Sequence, residues 1–320
     1  MSKYIVTGGA GFIGSNLVRE LVLRGHEVKV VDNLSTGKMA NLRDVLHAID
    51  FVFGDITDLP LLMEEFNGFD FVLHHAALAS VPNSIDDPLA NNRSNIDGTL
   101  KVLLAARDSG IKRVVYAASS AAYGDIEAEF KTEDMPVSFL SPYALAKYVG
   151  EVYCNLFYKL FGLESVSLRY FNVFGPNQDP SSAYAAVIPI FVTSMLNGEQ
   201  PVIFGDGTQS RDFTFVRNVV EANILASTSE TGVDKVFNIA CGDSISLNTL
   251  IEIINAELGT NIKPIYKPSR PGDVLHSKAD ISKATKFLAY TPPIPFAQGI
   301  RETVQWYKSQ LEPSDTEMVA

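Results

Sequence analysis

The sequence predicts an α/β protein with a doubly wound parallel sheet and a smaller C-terminal substrate-binding region. Short apolar runs of strand length alternate with helical stretches through the first 170 residues. A glycine-rich turn separates the first apolar run from the first helical stretch. Because strands that alternate with helices form βαβ units, the sheet is expected to be parallel and covered by helices on both faces.

The individual elements follow from the period of the apolar residues. Helices are predicted where these residues recur every three or four positions, and Gly25 follows the first helix as a stop signal. The predicted helices between strands include Ser15–Arg24, Pro88–Asp108 and Pro142–Leu160. The predicted strands are residues 3–6, 27–31, 50–53, 70–74, 113–117 and 164–169, and the run 236–240 is expected to return to the same sheet.

The pattern changes after Tyr170. Residues 171–213 contain several prolines, glycines and asparagines and are predicted to form loops with a few short elements, followed by a helix over 246–257 and a strand over 261–266. The chain is therefore divided into a sheet domain, residues 1–172 with a returning segment 214–243, a substrate region, residues 173–213 and 244–310, and a frayed tail, residues 311–320.

The composition is that of a globular protein, with 46% apolar and 20% charged residues among 320. A net charge of −11 argues against nucleic-acid binding, which needs a basic face. The histidines and the two cysteines lack metal-ligand spacing, so no metal is expected, and Cys154 and Cys241 are expected to be reduced thiols. The absence of a signal peptide and of a membrane-length apolar stretch predicts a cytoplasmic protein with no membrane partner.

The turn Thr7–Gly14 places glycines at positions 8, 11 and 14 between the first strand and the first helix. Gly8 permits a tight turn, Gly11 lets the backbone approach a pyrophosphate, and Gly14 allows the helix to pack closely on the strand. The phosphates are expected over the helix N-terminus, where amides and the helix dipole favour an anion. This spacing in this context predicts a dinucleotide site of the Rossmann type.

Acidic residues after the next two strands bear on the choice of dinucleotide. Asp32 closes the second strand, where a carboxylate accepts hydrogen bonds from the adenosine ribose and repels a 2′-phosphate, so NAD is predicted rather than NADP. Asp55 follows the third strand and is open to two interpretations, a contact with the adenine edge or an N-cap within Asp55–Asp58.

Tyr143 and Lys147 are one helical turn apart, so their side chains share a face of the predicted helix. A nearby ammonium and an oxidised nicotinamide each favour the phenolate, which makes Tyr143 a candidate base. Alone, such a pair is as readily a surface pair. Ser119 changes that interpretation, because it follows the strand 113–117 at the carboxyl edge of the sheet, where its hydroxyl can hold a substrate oxygen beside the tyrosine.

These motifs, together with Arg169–Gly175, resemble the extended short-chain dehydrogenases/reductases that act on nucleotide sugars. The resemblance runs from about residue 3 to about residue 308 and is closest to the UDP-N-acetylglucosamine 4-epimerases. It implies catalysis by Ser119, Tyr143 and Lys147, and a homodimer formed through helices near 90–108 and 143–160. The implied contacts with NAD are Gly8, Gly11, Phe12, Ile13, Asp32, Asn33, Asp55, Ile56, Ala76, Ala77, Tyr143, Lys147 and Tyr170.

Within that family, the residues after the serine separate the reactions. The 4,6-dehydratases carry an Asp-Glu pair there and the glucuronate decarboxylases carry a Glu, whereas this chain has Ala121 and Ala122. Without an additional acid–base group, oxidation at C4 of the sugar is followed only by reduction at C4. The chain is therefore predicted to epimerise C4 of a UDP-hexose through a transient 4-keto sugar.

The resemblance also implies the substrate contacts, with two arginines at the diphosphate and an aspartate at the uridine ribose. Ser277 stands where epimerases restricted to smaller sugars have a tyrosine, which leaves room for an acetamido group. The implied substrate residues are Ala79, Ser80, Ser120, Asn172, Ala186, Val187, Ile203, Phe204, Arg211, Arg270, Asp273 and Ser277.

The predicted substrates are UDP-GlcNAc and UDP-GalNAc, with UDP-glucose and UDP-galactose also open. Ala79 replaces a glycine typical of the subgroup and Ala121 replaces a serine, so strict selection of N-acetylated sugars is not expected. A UDP-glucuronate 4-epimerase is the alternative, because those enzymes share a small residue at the position of Ser277. The alternative of another class is a non-catalytic NAD(H)-binding sensor, but such proteins lose the tyrosine or the lysine that this chain keeps.

Overall fold

The computed structural model describes residues 1–180, 186–269 and 275–311. Its strands are β1 (Lys3–Thr7), β2 (Glu27–Asp32), β3 (Asp50–Phe53), β4 (Phe71–His74), β5 (Arg113–Ser119), β6 (Glu164–Tyr170), β7 (Val173–Phe174), β8 (Val202–Phe204), β9 (Ser210–Arg211), β10 (Thr214–Phe215), β11 (Lys235–Ile239), β12 (Ile245–Ser246), β13 (Ile265–Lys267) and β14 (His276–Ser277). Its α-helices are α1 (Phe12–Leu23), α2 (Leu59–Glu65), α3 (Val81–Asp86), α4 (Pro88–Asn92), α5 (Thr99–Asp108), α6 (Pro142–Phe161), α7 (Val187–Leu196), α8 (Val216–Thr228), α9 (Leu247–Leu258), α10 (Ser282–Leu288) and α11 (Phe296–Leu311).

Seven strands form one parallel sheet in the order β11-β6-β5-β4-β1-β2-β3. The chain runs outward from β1 to β3, returns to β4 on the other side of β1, and runs outward again to β6. The strand order reverses between β1 and β4, and ligands of such sheets bind at the carboxyl ends of the strands at this position. The predicted doubly wound fold is confirmed, and the run at 236–240 does return to the sheet as its edge strand.

Alternating side chains of the strands bury both faces of the sheet. Tyr4 and Val6 pack in one apolar cluster with α1 and α8, whereas Ile5 between them packs in a second cluster with α2, α5 and α6. A third cluster, which includes Phe174, Phe191 and Ile251, joins α7, α9 and α11 beyond the sheet. This third cluster supports the strands on which the predicted substrate residues lie.

Some elements differ from the prediction. The stretch 88–108 is interrupted, because α4 passes through a π-helical turn at Arg93–Gly98 before α5 begins. The region 171–213 was predicted as loops with short elements, but it contains α7, a helix of 10 residues. That helix is apolar on almost every side, so it has no amphipathic period to reveal it. The strand predicted over 261–266 is confined to β13.

Among the described residues, no helix combines the length and the apolar composition that a membrane span requires. Within the same residues, no three His, Cys, Asp or Glu side chains are grouped so as to hold a metal ion.

Candidate active site

The glycine turn packs against the end of β4. Gly8 has a φ of +72°, and a Cβ there would lie 2.6 Å from the backbone nitrogen of Ala76. A Cβ at Gly14 would lie 2.1 Å from the carbonyl oxygen of Gly8, so backbone fills the space of both missing side chains. Gly11 is the N-cap of α1 and provides no side-chain cap, which leaves the first-turn amides of this helix to an anion. The turn therefore fits a dinucleotide pyrophosphate.

Asp32 holds this turn against the end of β2. Its buried carboxylate accepts hydrogen bonds from the amides of Ala10 at 2.9 Å and Leu34 at 2.8 Å. A carboxylate has about four acceptor positions, so Asp32 retains capacity for a ribose hydroxyl. The sequence predicted a ribose contact, but it did not reveal this structural role.

Asp55 lies beside Asn33 at the same edge of the sheet. The Asn33 amide donates to one carboxylate oxygen at 2.7 Å, and the amide and hydroxyl of Thr57 donate to the other. Burial opposes ionisation of Asp55, but these hydrogen bonds outweigh it and lower its pKa. Asp58, rather than Asp55, is the N-cap of α2. Asp55 lies in the turn before this helix, beside Asn33 at the same edge of the sheet. Ile56 is buried, 6% exposed, in the core beneath.

Ser119, Tyr143 and Lys147 come together at the carboxyl end of β5. Ser119 ends that strand, and the other two lie in the first turns of α6, which Ser141 caps through the amide of Ala144. Ser119 lies close enough to the side chain of Tyr143 to lower the pKa of its phenol. The ammonium of Lys147 donates to the carbonyl oxygen of Ala117 at 2.8 Å. The predicted trio is thus assembled, with the lysine tied to the backbone of β5.

The charge states of this trio follow from burial. Burial raises the pKa of Tyr143, and the hydrogen bond with Ser119 offsets the rise only in part. Burial also lowers the pKa of Lys147 to about 8. The Lys147 ammonium, expected to favour the phenolate, donates one of its three N–H groups to Ala117. In the chain alone Tyr143 is therefore a phenol, and the phenolate needs a further positive charge nearby.

Polar side chains connect the ends of β1, β4 and β6. The amide of Ala76 donates to the hydroxyl of Thr7 at 3.3 Å. The Tyr170 hydroxyl lies 3.0 Å from Nε2 of His75 and accepts from the amide of Asn223 at 2.9 Å. Ala76 and Tyr170 were predicted as cofactor contacts, whereas Thr7, His75 and Asn223 were not predicted to support them. Thr7 is the one polar side chain in the glycine motif Thr7–Gly14, and its hydroxyl was the sequence feature from which this connection could have been predicted.

The predicted substrate residues surround a small three-stranded sheet. β14 pairs with β9 and brings Ser277 opposite Arg211, whose Nη1 donates to the carbonyls of Ser210 and Leu275. Asn172 donates its side-chain amide to the carbonyl of Asp212 at 3.1 Å. The buried Asp212 carboxylate, absent from the prediction, accepts hydrogen bonds from the backbone amides of Cys241 and Gly242, which follow β11, and of Ala279, which follows β14.

The remaining predicted substrate residues occupy loop and helix ends. Ser80 caps α3 through the amide of Asn83, with exposed Ala79 before it, and Ser120 begins a short 3₁₀ turn after β5. Ala186 precedes α7 and Val187 begins it, whereas Ile203 and Phe204 belong to β8. Arg270 and Asp273 lie outside the described residues, as does most of the predicted tail.

The chain matches the model of the NAD dependent epimerase/dehydratase family over residues 4–240. It is similar to the solved structure of UDP-N-acetylglucosamine 4-epimerase from Methanobrevibacter ruminantium M1 in complex with UDP-N-acetylmuramic acid, with 44% identity, a TM-score of 0.93, and coverage of 97% of this chain and 99% of that chain.

Two curated relatives are also similar over their full length. The UDP-glucose 4-epimerase of Mycolicibacterium smegmatis is 38% identical over 315 residues, which cover 97% of this chain and 100% of the relative. The UDP-glucuronate 4-epimerase of Thermodesulfobacterium geofontis is 36% identical over 324 residues, which cover 98% of each. The predicted resemblance is confirmed, and this chain belongs to the NAD-dependent epimerase/dehydratase family.

Proposed function

We propose that this protein is an NAD-dependent C4 epimerase of UDP-hexoses that keeps its NAD tightly bound. One observation carries the proposal: the hydrogen bond from Lys147 to Ala117 holds the helix of Tyr143 against the strand that ends in Ser119, in a site where Ala121 and Ala122 follow the serine. Bound NAD supplies the hydride acceptor for C4 of the sugar. The glycine turn fits its pyrophosphate, and Asp32 has acceptor capacity for the adenosine ribose.

The protein side chains manage one proton in this scheme. Tyr143 takes the proton of the C4 hydroxyl while Ser119 holds the same oxygen. Because burial raises the pKa of Tyr143, the phenolate forms only beside a cationic, oxidised nicotinamide. Tyr143 therefore removes the proton only when the nicotinamide is oxidised and can accept hydride from C4. After the keto sugar rotates to present its opposite face, hydride would return to C4 on that face and Tyr143 would return the proton to the same oxygen.

We assign UDP-GlcNAc and UDP-GalNAc as the principal substrates and UDP-glucose and UDP-galactose as further ones. Ser277 is partly buried and is paired with Arg211 on the neighbouring strand. Its small side chain supports the proposal that an acetamido group fits beside the arginine that would bind the diphosphate. UDP-glucuronate is the alternative substrate, supported by the relative from T. geofontis.

A substrate panel tests these assignments. The purified protein is incubated with UDP-GlcNAc, UDP-glucose and UDP-glucuronate at equal concentrations, without added NAD, and the products are separated by chromatography. We expect the 4-epimer from UDP-GlcNAc, and from UDP-glucose at a lower or equal rate. A 4-keto-6-deoxy sugar or a pentose product would contradict epimerisation, and a protein that binds NAD without converting any sugar would be a sensor.

We further propose that the protein is a homodimer. Leu145, Val152 and Leu156 are 44%, 49% and 41% exposed at helical spacing on one side of α6. The neighbouring exposed apolar side chains, which include Ile85 and Leu89, lie at 81–89 rather than in the expected segment 90–108. Light scattering is expected to give twice the chain mass, and Val152→Glu with Leu156→Glu is expected to give the single-chain mass. A monomeric wild type would contradict this proposal.

A further inference from the structure

Arg169 on β6 and Glu151 on α6 form a buried ion pair beside the catalytic residues. Nε lies 2.8 Å from Oε1 and Nη2 lies 2.7 Å from Oε2, and each side chain is 3% exposed. Glu151 is one helical turn after Lys147 and two after Tyr143, so the three residues share a face of α6. The ion pair therefore attaches the helix that carries the proposed base to the central sheet.

The same guanidinium contacts the turn that begins at the serine. Its carbon lies 4.8 Å from the ring centroid of Tyr123, the last residue of the 3₁₀ turn Ser120–Tyr123 that directly follows Ser119. The Tyr123 hydroxyl in turn donates to the side chain of Asn238 on β11 at 2.6 Å. Arg169 is thus in contact both with the helix of Tyr143 and with the turn of Ser119.

Stability alone does not account for this pair. Two buried charges lose their hydration, and their replacement by apolar side chains of similar volume is often neutral or stabilising. Burial raises the pKa of Glu151, and Arg169 counteracts the rise only in part. Nη1 of Arg169 is buried without a hydrogen-bond partner in the described part of the chain. Glu151 and Tyr123 therefore orient the guanidinium, and in this orientation its Nη1 donors have no hydrogen-bond partner among the described residues.

We infer that Arg169 is a positioning residue, which sets the distance between the hydroxyls of Ser119 and Tyr143 through its contacts with Tyr123 and Glu151. The inference rests on the proposed function, in which those two hydroxyls hold the C4 oxygen of the sugar between them. A misplacement of about 1 Å at such a site lowers the rate by about 100-fold. A rigid link between α6, which carries Tyr143, and the turn that follows Ser119 therefore has a direct effect on turnover.

The test replaces both charges with apolar side chains of similar length, in the double variant Glu151→Met with Arg169→Met. We expect bound NAD, the KM for the UDP-sugar and the melting temperature to be close to wild type, whereas kcat falls by about 10- to 100-fold. The midpoint of the pH–rate profile stays in place, because the double substitution removes no net charge. Crystal structures of the variant and the wild type are expected to show a longer distance between the hydroxyls of Ser119 and Tyr143 in the variant.

The matched control is Glu257→Met with Arg301→Met, an ion pair between α9 and α11 whose arginine is 57% exposed. It is expected to leave every readout unchanged. If the double variant does not fold, Arg169→Lys keeps the charge but loses the bidentate fork and is expected to lower kcat with an unchanged pH midpoint.

A double variant with wild-type kcat overturns the inference, and so does a shifted pH midpoint, which would indicate an electrostatic role. A wild type that converts no UDP-sugar overturns the proposed function instead. In that case the distance between the Ser119 and Tyr143 hydroxyls, compared between the crystal structures of the variant and the wild type, still decides the inference about Arg169.

Discussion

The ammonium of Lys147 donates a hydrogen bond to the carbonyl oxygen of Ala117 at 2.8 Å. Ala117 lies two residues before Ser119 on β5, so the lysine joins the helix of the proposed base to the strand of the serine. Burial of the ammonium costs stability, because it disfavours the charged form of Lys147 and lowers its pKa to about 8. The site therefore contains a group whose removal is expected to stabilise the protein while it impairs turnover.

Lys147→Met is expected to raise the free energy of unfolding by about 1–2 kcal/mol at pH 7, after the loss of the Ala117 hydrogen bond is deducted. The lysine pKa is lower in the folded chain, near 8, than in the unfolded chain, near 10.4, so the cost of the ammonium is present in full below pH 8 and disappears as the pH rises toward 10.4. Urea unfolding at pH 7 and at pH 10 measures both values. The exposed Lys308→Met is the control, and a destabilised Lys147→Met at pH 7 would contradict the prediction.

Tyr143→Phe is expected to keep bound NAD and to lower kcat by about 10²- to 10⁴-fold, the usual contribution of a general base. The phenyl ring preserves the packing, so the loss arises from the missing hydroxyl. Epimerisation is followed by chromatography, and NAD is measured after the protein is denatured. The matched control is Tyr148→Phe on the same helix. Tyr148 is outside the proposed catalytic set, and its ring packs against that of Phe139. Equal losses in the two variants would remove Tyr143 from its role.

Ser277→Tyr is expected to lower kcat/KM for UDP-GlcNAc by about 10- to 100-fold and to change the value for UDP-glucose far less, because the phenol fills the space proposed for the acetamido group. Ser277→Ala retains that space and serves as the control. The ratio of the two kcat/KM values is the measurement. A parallel loss on both sugars would show that position 277 does not select between them.

His75→Leu is expected to weaken the dependence of stability on acid pH. Burial lowers the pKa of His75 to about 3, below the value near 6.5 expected in the unfolded chain. The unfolded chain therefore binds the additional proton between these values, and stability decreases as the pH falls from 6.5 toward 3.

The slope of unfolding free energy against pH, measured from pH 4 to 6, should be smaller in His75→Leu by about 1.4 kcal/mol per pH unit. His74 and Asp212 also titrate abnormally, but both are present in each protein, so the difference isolates His75. The exposed His47→Leu is the control for loss of an imidazole at the surface. An unchanged slope in His75→Leu would contradict a neutral buried imidazole.

Local patterns predicted the parts of the site that lie within one turn or one helix. These parts are the glycines at 8, 11 and 14 and the pair at 143 and 147. Backbone geometry fixes their relative positions once their spacing in the sequence is known. The contact between Lys147 and Ala117 was not predictable in this way, because any residue supplies a carbonyl oxygen. The helix α7 was missed for a related reason, since its side chains are apolar on nearly every side.

The sequence by itself determined the alternation of strands and helices through residue 170, the phosphate turn and the types of the reacting groups, because each of these depends on neighbours along the chain. Only the tertiary structure decided that Arg211 faces Ser277 and that Arg169 contacts both Glu151 and Tyr123. Those relationships join segments far apart in the chain. They arise when burial of the apolar faces brings strands and helices into register, which no local pattern specifies.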